Sequence, residues 1–223
     1  MNVLRVMRPA DYFTLLNAAL GLCAMLLAAQ QRGHASLELA VLFVLLAAAA
    51  DGLDGFFARK LGSSPLGASL DSLADLISFG AAPSLIAVLA FNLSILAWPA
   101  AIFYLACAAL RLARFNIADR GDNFFEGLPV PAAGIALSAS VFLDSSYFTV
   151  LLMPILALLM VSSISYPKLR DARVYGLLGL ALLAALILFW QKNDLPLAAA
   201  LLAAIILIYL ISPVVISCLR KEK

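Results

Sequence analysis

Apolar residues run along this chain in long blocks broken by short polar segments, and within the blocks polar and apolar positions do not alternate. A membrane-crossing helix needs about 20 apolar residues at ~1.5 Å each. By that rule the pattern predicts eight helical spans, over roughly 11–30, 36–59, 67–91, 97–115, 129–143, 147–164, 173–190 and 195–217, of which the fifth and sixth are short. Turn residues mark the breaks: Gly33, Gly62 to Pro65, Gly121, Gly127 to Pro131, and Pro167. Stretches such as AALGLCAMLLAA lack the alternation of a barrel strand. Helices are then the way to satisfy the backbone in lipid. No repeat or linker divides the chain, so a single domain over 1–223 is expected.

Composition strengthens this picture. The chain is 65% hydrophobic, against about half in a soluble domain. The first apolar stretch is long enough to span and others follow it, so no cleavable signal peptide is expected. A net charge of +2 without a long basic tail gives no reason to expect a nucleic-acid partner. Cys23, Cys107 and Cys218 are isolated, which argues against a disulfide framework. His34, the only histidine, sits beside Arg32 and Gly33 in a short loop. A histidine base or a histidine-rich zinc site is therefore disfavoured.

The basic residues orient the spans. With the N-terminus in the cytoplasm, the cytoplasmic segments hold Arg5, Arg8, Arg59, Lys60, Arg111, Arg114, Arg120, Lys168, Arg170, Arg173, Arg220, Lys221 and Lys223. Only Arg32 and Lys192 fall outside. This asymmetry matches the positive-inside rule and predicts an even number of spans with both termini cytoplasmic.

Against that background four aspartates stand out. Asp51 and Asp54 close one apolar run, and Asp71 and Asp75 interrupt the next. A carboxylate at the centre of a bilayer costs about 2.5–3.5 kcal/mol on insertion scales. Spacings of three and four residues put each pair on one helix face. A short loop from Gly62 to Leu66 makes the two helices antiparallel neighbours, so four carboxylates can converge near the cytoplasmic surface. Like charges that close repel one another, and hard divalent cations relieve the repulsion: magnesium or manganese suits an all-oxygen donor set. Gly55 and Ala58 continue the face of the first pair, Gly67 lies one turn before Asp71, and Arg59 and Lys60 add positive charge suited to phosphates. The small residues alone would equally serve close helix packing.

These residues resemble the signature of the CDP-alcohol phosphotransferases. The pattern reads Asp51, Asp54, Gly55, Ala58, Arg59, then Gly67, Asp71 and Asp75. Seven residues, KLGSSPL, separate Arg59 from Gly67, one fewer than is usual in that family. The difference falls in the loop and predicts a tighter turn between intact helices. The stretches LDSLADLISFGAAPSL, ALRLARFN and GLPVPAAG look like the family's phosphatidylserine synthase branch, of the membrane-embedded type found in Gram-positive bacteria and archaea. DYFTLLNAALG, with Thr14, Asn17 and Gly21, resembles the family's first helix. The likeness covers most of the first 170 residues, and the last two spans carry little of it.

The resemblance implies an integral enzyme of the cytoplasmic membrane with its active site on the cytoplasmic side. It would transfer a phosphatidyl or archaetidyl group from CDP-diacylglycerol or CDP-archaeol to the hydroxyl of L-serine and release CMP. It assigns Asp51, Asp54, Asp71 and Asp75 to two divalent cations, Mg2+ or Mn2+, with Asp75 doubling as general base. Gly55, Ala58, Arg59 and Gly67 would line the nucleotide site, and the family's habit implies a homodimer. Arg111 and Arg114 are i,i+3 on the fourth span. They suit either anchors that snorkel to headgroups or a bidentate anion site for serine's carboxylate or the lipid phosphate, and the resemblance favours the anion site. Glu126 could meet serine's ammonium or be a solvated loop charge. Two alternatives remain: a sister enzyme using glycerol phosphate or inositol phosphate, and a cation transporter or channel whose acidic cluster binds the transported ion. The serine-branch stretches argue against the first. The signature spacing argues against the second.

Overall fold

The computed structural model describes residues 6–30, 34–62, 64–92, 95–117, 124–143 and 145–167. The predicted spans 173–190 and 195–217 lie outside the described residues. Within them the chain is a bundle of helical rods. Helix α1 covers Pro9–Ala29 and α2 covers His34–Leu61. Helix α3 (Gly67–Asp75) runs through a π-helical turn (Leu76–Ala81) into α4 (Ala82–Ala90) as one rod. Helices α5 (Trp98–Ile117), α6 (Val130–Ser140) and α7 (Ser146–Val161) follow. Four rods are long and apolar enough to cross a membrane: Pro9–Ala29, Ala35–Leu61, Gly67–Ala90 and Trp98–Ile117. Val130–Leu143 and Ser146–Val161 are apolar but shorter. These six rods match the first six predicted spans closely.

One feature departs from an all-helical expectation. Phe124–Glu126 (β1) pairs antiparallel with Ser165–Pro167 (β2), in the register Phe124↔Pro167 and Glu126↔Ser165. The α6–α7 hairpin brings its own flanks together, since Gly127 N–H donates to the Ile164 carbonyl at 2.8 Å and Leu128 N–H to that of Leu159 at 3.0 Å. Three residues per strand carry too little periodicity to be seen in sequence.

The surface is the inverse of a soluble protein's. Leu22, Leu26, Ile102, Leu110, Leu151 and Leu158 are exposed, while Ala24, Ala28, Ala40, Ala47, Ala87 and Ala108 are buried. Small residues between helices permit the close backbone approach that dispersion requires in lipid. The π-turn is the tightest case. A Cβ at Gly21 of α1 would run into Ser78, and one at Gly134 of α6 would sit 2.8 Å from the Phe79 Cα.

Pro83 accounts for the turn itself. It has no N–H to return to the Phe79 carbonyl four residues back, and its ring would clash there. The helix widens instead, so that Ala82 N–H donates to the Ile77 carbonyl, five residues back. Tyr104 Oη, fully buried on α5, donates to the Phe79 oxygen at 3.0 Å and satisfies it. Single π-turns inside helices concentrate at functional sites, and this one begins immediately after Asp75.

Candidate active site

The α2–α3 connection turns at Gly62, whose φ of +84° favours glycine. It is tied at both ends to the start of α1. Arg8 Nη1 donates to the Leu61 carbonyl at 3.3 Å, Ser64 Oγ donates to Asp11 Oδ1 at 2.9 Å, and Arg8 N–H donates to Asp11 Oδ2 at 2.8 Å. Leu66 N–H in turn donates to Ser64 Oγ at 3.2 Å. The short loop is thus compact and braced by buried Asp11.

This turn sets α2 against α3 and brings carboxylates together across them. One oxygen each from Asp51, Asp54 and Asp71 lies within 4.8 Å of the other two. Asp54 is 7% exposed, and Asp51 and Asp71 are half-buried. Asp75, also 7% exposed, is one turn further along α3 and is not part of that trio. Two of the four acids are held from α1. Thr14 Oγ1 donates to Asp54 Oδ2 at 2.7 Å, and Asn17 Nδ2 donates to Asp75 Oδ1 at 3.1 Å. Thr14 Oγ1 also lies 3.3 Å from the Ala10 carbonyl, but it has one proton and the shorter, charge-assisted contact takes it. Asn17 is fully buried and its Oδ1 has no partner among the described residues. An unpaired buried acceptor costs about 1–3 kcal/mol.

Three converging carboxylates repel one another and make a candidate cation site. The donors are hard oxygens from two rigid helices, which fits a hard divalent ion. The candidate nucleotide residues continue from there. Gly55 and Ala58 are half-buried on α2, and Arg59 is exposed one turn beyond Gly55. A Cβ at Gly55 would lie 3.4 Å from Arg59 Nη1, so the guanidinium folds back over the glycine toward the acidic end. Gly67 opens α3, its N–H donating to the Ser64 carbonyl at 3.1 Å. Lys60 lies instead 4.4 Å over the Phe56 ring.

The two arginines of α5 part company. Arg111 is 7% exposed with its guanidinium 5.5 Å from the Phe115 ring. Arg114 spends its donors on carbonyls: Glu126 at 2.7 Å, Met160 at 3.1 Å, Ser162 at 3.2 Å and Val161 at 3.3 Å. Its contact with the Glu126 carboxylate is looser, at 3.9 Å. Arg114 therefore closes the C-terminal end of α7 and ties it to β1. A separate groove of about 300 Å³ lies between α3 and α5, lined by Ser69, Ser72, Leu73, Leu76, Leu112 and Asn116. It contains none of the predicted site residues.

The acidic cluster lies between membrane-length helices, is braced by neutral polar groups, is flanked by a folded-back arginine and could hold a metal ion. The sequence pattern of the CDP-alcohol phosphatidyltransferase family matches residues 7–165, and the chain belongs to that family. A CDP-diacylglycerol–serine O-phosphatidyltransferase of Methanocaldococcus jannaschii is 40% identical over 169 residues, covering 75% of this chain and 77% of the relative. An archaetidylserine synthase of Methanothermobacter thermautotrophicus is 38% identical over 168 residues, covering 71% and 69%. A CDP-diacylglycerol–serine O-phosphatidyltransferase of Bacillus subtilis is 38% identical over 151 residues, covering 65% and 84%.

Proposed function

We propose that the protein transfers the phosphatidyl or archaetidyl group of a CDP-linked lipid to the hydroxyl of L-serine. The observation that carries this is the Asp51–Asp54–Asp71 trio on facing helices within the family-matched region, and relatives named for serine transfer support the acceptor. Asp51, Asp54, Asp71 and Asp75 would hold two divalent cations, Mg2+ or Mn2+. When bound, these ions neutralise the pyrophosphate and the departing CMP. Gly55, Ala58 and Gly67 leave room for the nucleotide, and Arg59 pairs with its phosphates. Asp75 accepts the proton of serine's hydroxyl as that oxygen bonds to the lipid-bearing phosphorus. The bond from that phosphorus to CMP breaks, CMP leaves with the electron pair, and Asp75 later returns the proton to water. Arg111 takes serine's carboxylate or the lipid phosphate, while Arg114 acts through the ribbon it holds.

The lipid tails stay in the bilayer while the headgroup reacts at its surface. The basic asymmetry of the sequence supports eight spans with both termini and the site at the cytoplasmic face. One domain over 1–223 and a homodimer complete the reading. The test is a panel. Purified protein receives CDP-diacylglycerol or CDP-archaeol with labelled serine, glycerol phosphate or inositol phosphate. Labelled lipid from serine alone is expected. A phosphorylated acceptor used better than serine would reassign the enzyme to a sister activity.

A further inference from the structure

Helix α1 presents Asp11, Thr14, Asn17 and Gly21 along one buried stripe, and each position faces the signature helices or their loop. Asp11 holds the loop through Ser64, and Gly21 admits Ser78. Between them, Thr14 and Asn17 each bond one oxygen of one carboxylate, and they choose one member of each acid pair: Asp54 from α2, Asp75 from α3. Each bond occupies one oxygen (Oδ2 of Asp54, Oδ1 of Asp75) and leaves the other for chemistry. Asn17 is itself fixed, because its backbone carbonyl accepts from Ser78 Oγ at 2.8 Å. Its side chain is fully buried, its Oδ1 has no partner among the described residues, and its nitrogen bonds Asp75.

We propose that α1 is a positioning strut with two separable effects: Thr14, through Asp54, sets cation affinity, and Asn17, through Asp75, sets the rate of turnover. This rests on the carboxylate roles proposed above. Outer partners of ligating carboxylates typically carry 10- to 100-fold in affinity or activity. Thr14→Val removes the hydroxyl but keeps the branched shape. It should weaken Mn2+ binding about 10-fold, read directly by electron paramagnetic resonance of free Mn2+ without any lipid substrate. At saturating Mn2+ its kcat should stay within about twofold, and Thr14→Ser should restore affinity. Asn17→Leu keeps the volume and loses the donor. Its kcat should fall roughly 10- to 150-fold, the worth of a hydrogen bond to a charged group. Its Mn2+ affinity should fall less than that of Thr14→Val, because Asp54 belongs to the trio and Asp75 stands one turn away, and its KM for CDP-diacylglycerol should be unchanged. If Asn17→Leu does not accumulate, Asn17→Ala, which also lacks the donor, carries the same expectation.

Parallel losses of affinity and kcat in both variants would mean that α1 only packs, and the proposal would fall. So would wild-type behaviour of either variant. The carboxylate roles are checked alongside. Full turnover by Asp75→Asn, or unchanged Mn2+ affinity in Asp54→Asn, would strike those roles. An inactive Asp75→Asn beside an unaffected Asn17→Leu would strike the strut alone.

Discussion

Two buried polar atoms lack a partner among the described residues, and they lie in different halves of the bundle: Asn17 Oδ1 on α1 and Ser138 Oγ on α6. Their neighbourhoods differ. In the α6–α7 hairpin the polar groups close on one another. Ser140 Oγ donates to the Leu137 carbonyl at 2.7 Å and lies 3.2 Å from Thr149 Oγ1, which lies 3.4 Å from the Ser140 carbonyl. Every partner is neutral, and the bonds hold two short helices together. Around α1, polar groups end on carboxylates that keep an oxygen to spare. Closed polar networks are architecture, while open ones ending on charge are equipment for a ligand.

The sharpest way to break that contrast is to remove the charge. Asp51→Asn, Asp54→Asn, Asp71→Asn and Asp75→Asn should each abolish transfer, because converging oxygen donors leave little redundancy. Asp75→Asn should lose turnover more completely than CDP-lipid binding, since asparagine still offers an oxygen but cannot take a proton. Near wild-type turnover in the Asp75 variant would remove it as base. Arg111→Ala comes next. Losing a charge-assisted bond to serine's carboxylate should raise the serine KM roughly 10- to 150-fold and leave the CDP-lipid KM alone, as steady-state kinetics with each substrate varied would show. The converse pattern would move Arg111 to the lipid phosphate. Arg111→Lys should rescue only in part, because lysine keeps the charge and loses the planar fork.

Arg114→Ala should act through the fold instead. Four carbonyls lose their donor, so the thermal midpoint in detergent should fall while the serine KM stays within a few-fold. A large selective rise in serine KM would restore Arg114 to the acceptor site. Ser138→Ala should do least of all. Its hydroxyl has no partner among the described residues, so stability should change by no more than about 0.5 kcal/mol or improve slightly, and activity should be untouched. If Ser138→Ala damages turnover as much as Asn17→Leu, the distinction between the two halves collapses.

Much of this architecture was legible beforehand, for physical reasons. Apolar blocks of spanning length point to membrane helices, and carboxylates inside them are costly enough to single out a candidate cation site. The described rods end within a few residues of the predicted ones. What stayed hidden depended on tertiary approach. Thr14 and Asp54 are 40 positions apart and Asn17 and Asp75 are 58 apart, so nothing local announces either bond. Arg111 and Arg114 share a spacing that puts them near one face, yet three residues rotate a helix by about 300°, enough to send one into the bundle and the other to the end of α7. The π-turn had a local cue in Pro83, but the wider turn becomes visible only with the Tyr104 hydroxyl that completes it.

The central claim is that the α2–α3 acids hold cations for transfer to serine. Its most direct test is CMP release from CDP-diacylglycerol by the purified protein, followed with and without serine, across a Mn2+ titration and in chelator, beside Asp71→Asn. The account predicts CMP released in step with labelled phospholipid only when serine and a divalent cation are both present, and none from Asp71→Asn. Full turnover in chelator, or CMP released as fast without serine as with it, would contradict the account.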